Sequence, residues 1–199
     1  MKFYRRLEPF QAISFDLDDT LYSNYPVMMA TDAKMVAYFS KLLSGKITFI
    51  DGAKNTVFDY LFWKPFHQQV LKENPQLIHH VGDVRLATYT LGLKTVGLTA
   101  SVAECEAQKA LDYFVLQRSD FVVPATVHQL LKSLQKKYPL VAISNGNVDT
   151  DKIDISQYFQ YRFHAGDLFT TPKNNNIQLR QKPHTDMFDA ACEKLLIKP

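Results

Sequence analysis

Cysteine, glycine and long apolar runs are all scarce in this chain, and each scarcity excludes a class of protein. Two cysteines among 199 residues, Cys105 and Cys192, lie far apart and fit no metal-ligand spacing, so they read as buried thiols in a reducing compartment. Seven glycines and nine prolines exclude collagen-like and low-complexity chains, and 13% aromatic residues argue against disorder. No apolar run approaches the roughly 20 residues of a membrane span. Near the start, Lys2, Arg5 and Arg6 are followed by Leu-Glu-Pro-Phe-Gln rather than an apolar segment, so no secretory signal is visible. An excess of one charge sign is also missing. With 23 basic and 20 acidic residues the net charge is +3, too small and too dispersed for nucleic-acid binding. The expectation is a cytoplasmic globular protein, monomeric or weakly dimeric, with neither membrane nor nucleic acid as partner.

What is present is an α/β rhythm with a long helical interruption. Ala12-Ile13-Ser14-Phe15 is a short apolar run that opens onto Asp16-Leu17-Asp18-Asp19-Thr20. Such a pattern marks the carboxyl end of a buried parallel strand, where ligand chemistry gathers in open α/β sheets. From Pro26 to about Leu116 the spacing is helical. Met29, Ala33, Val36 and Phe39 follow one face, then Val57, Phe58, Leu61, Phe62, Phe66 and Val70, with an interruption expected at Pro65. Asp83 is expected to cap a helix over Val84–Leu91 with Gly92 just past its end, and Ser101-Val102-Ala103-Glu104 reads as a capping box.

The α/β rhythm then returns. Val127, Leu130, Leu131 and Leu134 have helical spacing, Leu140-Val141-Ala142-Ile143 is a second buried strand running into Ser144-Asn145-Gly146, and Tyr161–Ala165 is a third strand. Thr170 to Gln178 reads as a polar surface loop, and Phe188, Ala191, Cys192 and Leu195 as a closing helix. These elements predict an α/β fold with a Rossmann-like, three-layer α/β/α core built from 1–23 and 117–199, and a helical cap over 24–116.

The chemistry-bearing residues sit at the strand ends. Asp16 and Asp18, two apart on extended backbone, point to one side and can face one pocket. Their mutual repulsion is relieved by a divalent cation such as Mg²⁺, which also shields an incoming phosphate. One carboxylate can act as a nucleophile that forms an acyl phosphate, and the other can protonate the leaving alkoxide and later activate water. The bland alternative, a capping cluster at a strand-to-helix turn, fits the preceding strand and Thr20 less well. Ser144, in a Gly-containing turn after the second strand, can help cradle phosphate, although Ser-Asn-Gly alone is an ordinary turn. Lys182 before the last helix can neutralise phosphate and Asp16 together, although a solvated lysine is commoner. His79 and His80, adjacent and without partners, are expected at the surface. Tyr60, Phe62, Trp63 and Phe66 are expected to pack the core of the helical region, and Lys132, Lys136 and Lys137 to form a solvated helix face.

Phe-Asp-Leu-Asp-Asp-Thr-Leu-Tyr at 15–22, Ile-Ser-Asn-Gly at 143–146 and Lys-Pro at 182–183 together resemble motifs I, II and III of the haloacid dehalogenase (HAD) superfamily. The likeness runs from about Phe3 to Lys198 and is greatest to the bacterial branch that dephosphorylates FMN and the riboflavin precursor phosphoribitylaminouracil phosphate. It implies a small phosphorylated substrate and Mg²⁺ as cofactor. By position Asp16 resembles the nucleophile, Asp18 the general acid/base and Lys182 the stabilising lysine. Ser144, with Asn145 and Thr20, resembles the phosphate-binding groups. Asp16 and Asp18 would also contact the metal, Asp18 through its backbone carbonyl. An aspartate at position 18 favours phosphate esters over halides, whose departure needs no proton.

One part of the family pattern has no counterpart. The fourth motif, a strand followed by an acidic pair that completes the Mg²⁺ site, is absent after Lys182. Val81-Gly82-Asp83 reads as a helix start, and Gly166-Asp167 lacks the second acid. The sequence therefore resembles a truncated version of a longer phosphatase, with weak or no turnover expected. The alternative is a phosphate-binding or interaction protein that keeps the pocket without the metal.

Overall fold

In the computed structural model, residues 10–44, 57–171 and 175–198 are described. Strand β1 (Ile13–Phe15) leads into a tight turn in which the Leu17 carbonyl accepts from the Thr20 and Leu21 amides at 3.2 and 2.9 Å. Asp19 takes a left-handed backbone (φ 56°), which short polar side chains tolerate, and its Oδ1 accepts from the Asn24 amide at 2.8 Å. That bond holds the start of α1 (Asn24–Leu43). Three further helices follow, α2 (Tyr60–Glu73), α3 (Val81–Thr95) and α4 (Ala100–Arg118). The chain then forms α5 (Ala125–Gln135), β2 (Leu140–Ser144), β3 (Tyr161–His164), a hairpin of β4 (Leu168–Thr170) with β5 (Asn176–Gln178), and α6 (Asp186–Leu195).

The main sheet has the order β1-β2-β3 and is parallel throughout. β2 lies in the middle with every residue buried, which explains its unbroken apolar sequence. Its side chains alternate between two cores. Leu140 and Ala142 pack with Leu131 of α5, Ile155 and Phe159, whereas Val141 and Ile143 pack with Phe163, Met187 and Ala190 of β3 and α6. Helices therefore cover both faces, the three-layer α/β arrangement the sequence predicts. Among the described residues no helix is long and apolar enough to cross a membrane.

Helices α1 to α4 build a core of their own around Phe39, Leu93 and Phe114, each essentially inaccessible to solvent. Phe39 lies with its ring centroid 4.4 Å from that of Trp63 and 4.9 Å from that of Tyr89. Trp63 also explains why Gly92 sits inside α3 rather than beyond its end: a Cβ on Gly92 would come within 2.6 Å of the Trp63 ring. The glycine is required for close approach, not for a helix stop. Phe62 and Trp63 do pack this core, while Tyr60 is exposed.

Other local expectations are corrected. Pro65 lies within α2, which continues through it. The N-cap of α4 is Thr99, without a side-chain cap bond, so Ser101 and Glu104 form no capping box. Asp83 belongs to the first turn of α3, with His80 at the N-cap. The polar stretch 170–178, expected as a loop and with 172–174 outside the described residues, instead holds the end of β4 and all of β5, with Thr170 paired to Asn176. Cys105 is exposed and Cys192 partly so. The buried stripe of α4 runs through Ala103, Ala107, Ala110 and Phe114, and Cys105 falls off it.

Replacing Phe39 with alanine should lower the stability of the folded chain by about 3–5 kcal/mol, because a large cavity opens between four helices. Urea denaturation of the variant against wild type measures this.

Candidate active site at the carboxyl edge of the sheet

Parallel pairing brings the three strand ends to one edge. The register sets Phe15 opposite Ala142 and Ser144 opposite His164, so Asp16, the Ser144 turn and His164 lie side by side. Asp16 Oδ1 accepts from Lys182 Nζ at 2.6 Å, and the same ammonium donates to the Ile143 carbonyl at 2.9 Å. The lysine reaches inward because its loop is pinned at two places. Asn145 accepts from the Lys182 amide at 2.7 Å and donates back to its carbonyl at 3.2 Å. Arg180 grips Asp186 through Nε and Nη2, both at 2.8 Å, which closes the loop from the other side. Asn145 is thus committed to positioning Lys182. Ser144, buried at the end of β2, accepts from the Gly146 amide at 3.0 Å. Thr20 is exposed, and its backbone closes the turn after Asp16.

Asp18 has a separate set of partners. Its Oδ2 accepts from Arg118 Nη2 at 2.6 Å and its Oδ1 from the Tyr22 hydroxyl at 2.6 Å. Burial, reinforced by the hydrogen bond to Asp18, pushes the Tyr22 phenol well above its ordinary pKa, so it stays a donor. Gly146 closes this cluster: a Cβ there would lie 2.5 Å from both Arg118 Nη2 and Asp18 Oδ2 and 3.4 Å from Ser144 Oγ. The turn after β2, the second aspartate and the end of α4 therefore converge on one point. The structure brings Asp16, Asp18, Ser144 and Lys182 together, and leaves Thr20 at the surface of the turn.

Arg118 is absent from the sequence reading. It is 4% exposed and lies four residues beyond Phe114 on the buried stripe of α4. A charged residue in phase with an apolar stripe was the available signal, because such a group must find a buried partner. The histidines also depart from expectation. His80 is only 7% exposed rather than at the surface, held between the start of α3 and Gly166. His79 is half-buried, its ring edge-on to that of His184 at 4.9 Å, and burial lowers its pKa, with a further push from His184. Asp83 accepts from Gln178 at 3.0 Å and Asp167 from the His164 amide at 2.6 Å, so both carboxylates are engaged away from Asp16.

The donor set at Asp16 suits a hard cation held jointly with a ligand. Asp16 is 42% exposed at its side chain and its Oδ2 has no hydrogen-bond partner among the described residues, while Asp18, at 22%, is occupied by Arg118 and Tyr22. Among the described residues no group of three or more His, Cys, Asp or Glu side chains could enclose a metal alone. Mg²⁺, which binds through one or two carboxylates and completes its shell with water and substrate phosphate, fits this arrangement.

Two outcomes follow from the geometry. Replacing Arg118 with methionine leaves Asp18 without its buried partner and should destabilise the protein by about 3 kcal/mol, the low end for a broken buried pair, since Asp18 keeps some solvent contact; denaturation reads it. The second concerns acid. The Arg180 hydrogen bonds hold the Asp186 carboxyl down to about 2, below its ordinary value of 3.8. A depressed carboxylate contributes stability above the unfolded pKa and loses it as pH falls through the folded one. Wild type should therefore lose melting temperature more steeply between pH 4 and 2 than Asp186→Asn, which lacks that carboxyl, in a series of thermal melts across that window.

Known proteins match this chain along almost its whole length. The model of the haloacid dehalogenase-like hydrolases matches residues 10–199. The 5-amino-6-(5-phospho-D-ribitylamino)uracil phosphatase YigB of Escherichia coli is 34% identical over 195 residues, which cover 98% of this chain and 74% of that protein. Among solved structures, a 2-haloacid dehalogenase from Pseudomonas syringae superposes with a TM-score of 0.68 at 22% identity, over 79% of this chain and 64% of that one. The HAD-hydrolase YfnB from Bacillus subtilis, solved with bound magnesium, superposes with a TM-score of 0.52 at 16% identity, over 94% and 74% of the two chains.

Proposed function

The chain belongs to the haloacid dehalogenase-like hydrolases, and from that premise we propose that it is a Mg²⁺-dependent phosphomonoester phosphatase working through an aspartyl-phosphate. The observation that carries the reading is the different pairing of two aspartates two residues apart, Asp16 with Lys182 and Asp18 with Arg118 and Tyr22. Two carboxylates in unlike settings can take unlike roles in one reaction.

Lys182 holds Asp16 Oδ1, and Oδ2 has no hydrogen-bond partner among the described residues. Asp16 attacks phosphorus in line, the P–O bond to the leaving group breaks, and Asp18, released from one of its bonds to Arg118 and Tyr22 and carrying the proton it took from water in the preceding turnover, gives that oxygen a proton. Water then attacks the acyl phosphate while Asp18 takes its proton, and Asp16 is released with inorganic phosphate. Ser144 and the backbone of its turn face the phosphoryl oxygens, and Lys182 offsets their charge. Asn145 acts through Lys182, whose loop it fastens. Mg²⁺, when bound, would be held by the Asp16 carboxylate and the Asp18 backbone carbonyl and would supply charge neutralisation at the phosphate. An aspartate at 18 favours this hydrolysis over dehalogenation. The likeness to YigB supports a phosphoribitylaminouracil as substrate, FMN being the other ester the family resemblance offers, and the helices of 24–116 would form a cap over the site that keeps bulk water out.

Release of phosphate from p-nitrophenyl phosphate tests the proposal. Against the weak or absent turnover expected from the missing fourth motif, the gathering of Asp16, Asp18, Ser144 and Lys182 at one edge supports activity: purified protein should turn over the ester with Mg²⁺ and lose the activity in EDTA, and Asp16→Asn should reduce it by more than about 10³-fold, as removal of a nucleophile does. Binding of phosphate without any turnover by wild type would overturn the assignment in favour of a non-catalytic phosphate-binding protein.

A further inference from the structure

We propose that Tyr22 is a positioning residue for the acid step: its hydroxyl holds Oδ1 of Asp18, sets that oxygen apart as the one that carries the proton, and releases it when the leaving group arrives. The proposal rests on the phosphatase reading above, in which either oxygen of Asp18 could bear the proton.

The two oxygens of Asp18 have unlike partners. Oδ2 accepts from Arg118 Nη2 at 2.6 Å. A guanidinium carries only N–H donors, so a hydrogen on Oδ2 would have to push away a cation that is itself buried. The backbone closes the same side, since a Cβ on Gly146 would lie 2.5 Å from both Oδ2 and Arg118 Nη2. Oδ2 therefore keeps its partner in every state of the carboxyl. Oδ1 accepts from the Tyr22 hydroxyl at 2.6 Å, the length of a hydroxyl-to-carboxylate bond. A hydroxyl, unlike a guanidinium, can both donate and accept. With Asp18 ionised, the phenol O–H donates to Oδ1. With a proton on Oδ1, the phenol hydrogen turns away and the phenol oxygen accepts. One contact thus serves both states, and only the hydroxyl rotor changes.

Tyr22 is held so that it cannot follow the carboxyl. It is buried in the core with Leu17, Leu131 and Val148, and its ring centroid lies 4.6 Å from that of Phe121. A β-bridge pairs the backbone at Asp18 and Tyr22, and the Leu21 amide closes the turn between them on the Leu17 carbonyl at 2.9 Å. The acid step then proceeds against a fixed phenol. As the bond from phosphorus to the leaving oxygen breaks, that oxygen keeps the electron pair and takes the proton from Oδ1. The carboxylate left behind recovers the Tyr22 hydroxyl as donor, and the later attack of water returns a proton to Oδ1.

Esters with unlike leaving groups test this on the full chain. p-Nitrophenolate departs without a proton, whereas the alkoxide of ribitol 5-phosphate needs one. The quantity to measure is kcat/KM, which runs from free enzyme to loss of the leaving group and so excludes the attack by water. In Tyr22→Phe the value for ribitol 5-phosphate relative to that for p-nitrophenyl phosphate should fall about tenfold, part of the roughly 10²–10⁴-fold that a positioned acid supplies. A packing role alone would lower both esters by one factor. Asp18→Asn should lower the same ratio further, and adding Tyr22→Phe to it should lower the ratio no more, because Tyr22 acts through Asp18. The Tyr22 ¹³Cζ signal should also move between wild type and Asp18→Asn, a reading that does not require Tyr22→Phe to fold. An unchanged ratio in Tyr22→Phe, a further fall in the double variant, or a Tyr22 signal that stays in place would each overturn the positioning role while wild type still turns over both esters. No turnover of either ester by wild type would instead overturn the phosphatase reading, and the role of Tyr22 with it.

Discussion

Parallel pairing of β1, β2 and β3 is the constraint on which the rest of the molecule depends. It forces three strand ends to one edge, and so places Asp16, Ser144 and His164 in a row although they are separated by more than a hundred residues of chain at the extreme. It also requires a long crossover between β1 and β2, since parallel strands cannot be joined by a tight turn. Here the crossover is α1 to α5, and its length gives room for a second core around Phe39. An antiparallel β1 would send Asp16 to the opposite edge, and no adjustment of loops would return it to Lys182.

Electrostatics then separates two residues that the backbone puts together. Asp16 and Asp18 follow the same strand, and two adjacent anions sharing one environment would repel each other. Each is instead given its own cation. Lys182, on a loop, meets the more exposed Asp16, while Arg118, rigid at the end of a helix, meets the more buried Asp18. The choice of cation suits the position: an ammonium is a point charge that can serve a carboxylate and a phosphate in turn, whereas guanidinium is the better partner for a buried pair. Because Arg118 comes from α4, the Asp18 pair also fastens the helical region to the sheet.

How much of this was legible in the sequence depended on the range of the interaction. β2 could be read because a strand buried on both faces is apolar without interruption, and the amphipathic pattern of α5 survives because one face meets the sheet and the other water. The Asp16-to-Thr20 turn could be placed because its local pattern is specific, and Lys182 only because of its order and spacing relative to that turn. What escaped depends on contacts distant in sequence. Gly92 has the chemistry of a helix stop, and only the Trp63 ring lying against it shows that it is an interior residue. His80 resembles any polar loop residue until Gly166, 86 positions later, folds against it. Arg118 is the exception: its phase with Phe114 places it inside, although its partner Asp18 lies a hundred residues away.

The carboxyl edge and a cavity beside it are built from different material, one from the sheet and the other from sheet and helices together. The phosphate end is assembled from groups fixed by the sheet, a strand-end carboxylate, a turn after β2 and a lysine bonded to a β2 carbonyl. In the proposed reaction these groups would recognise what all phosphate esters share. Beside them, His80 and the first turn of α3 face the end of β3 across that cavity, which exists only where helical region and sheet meet. Changes in the helices can alter it without moving the carboxylates that would do the chemistry. The bond from Gln178 to Asp83 already crosses this boundary beside the cavity.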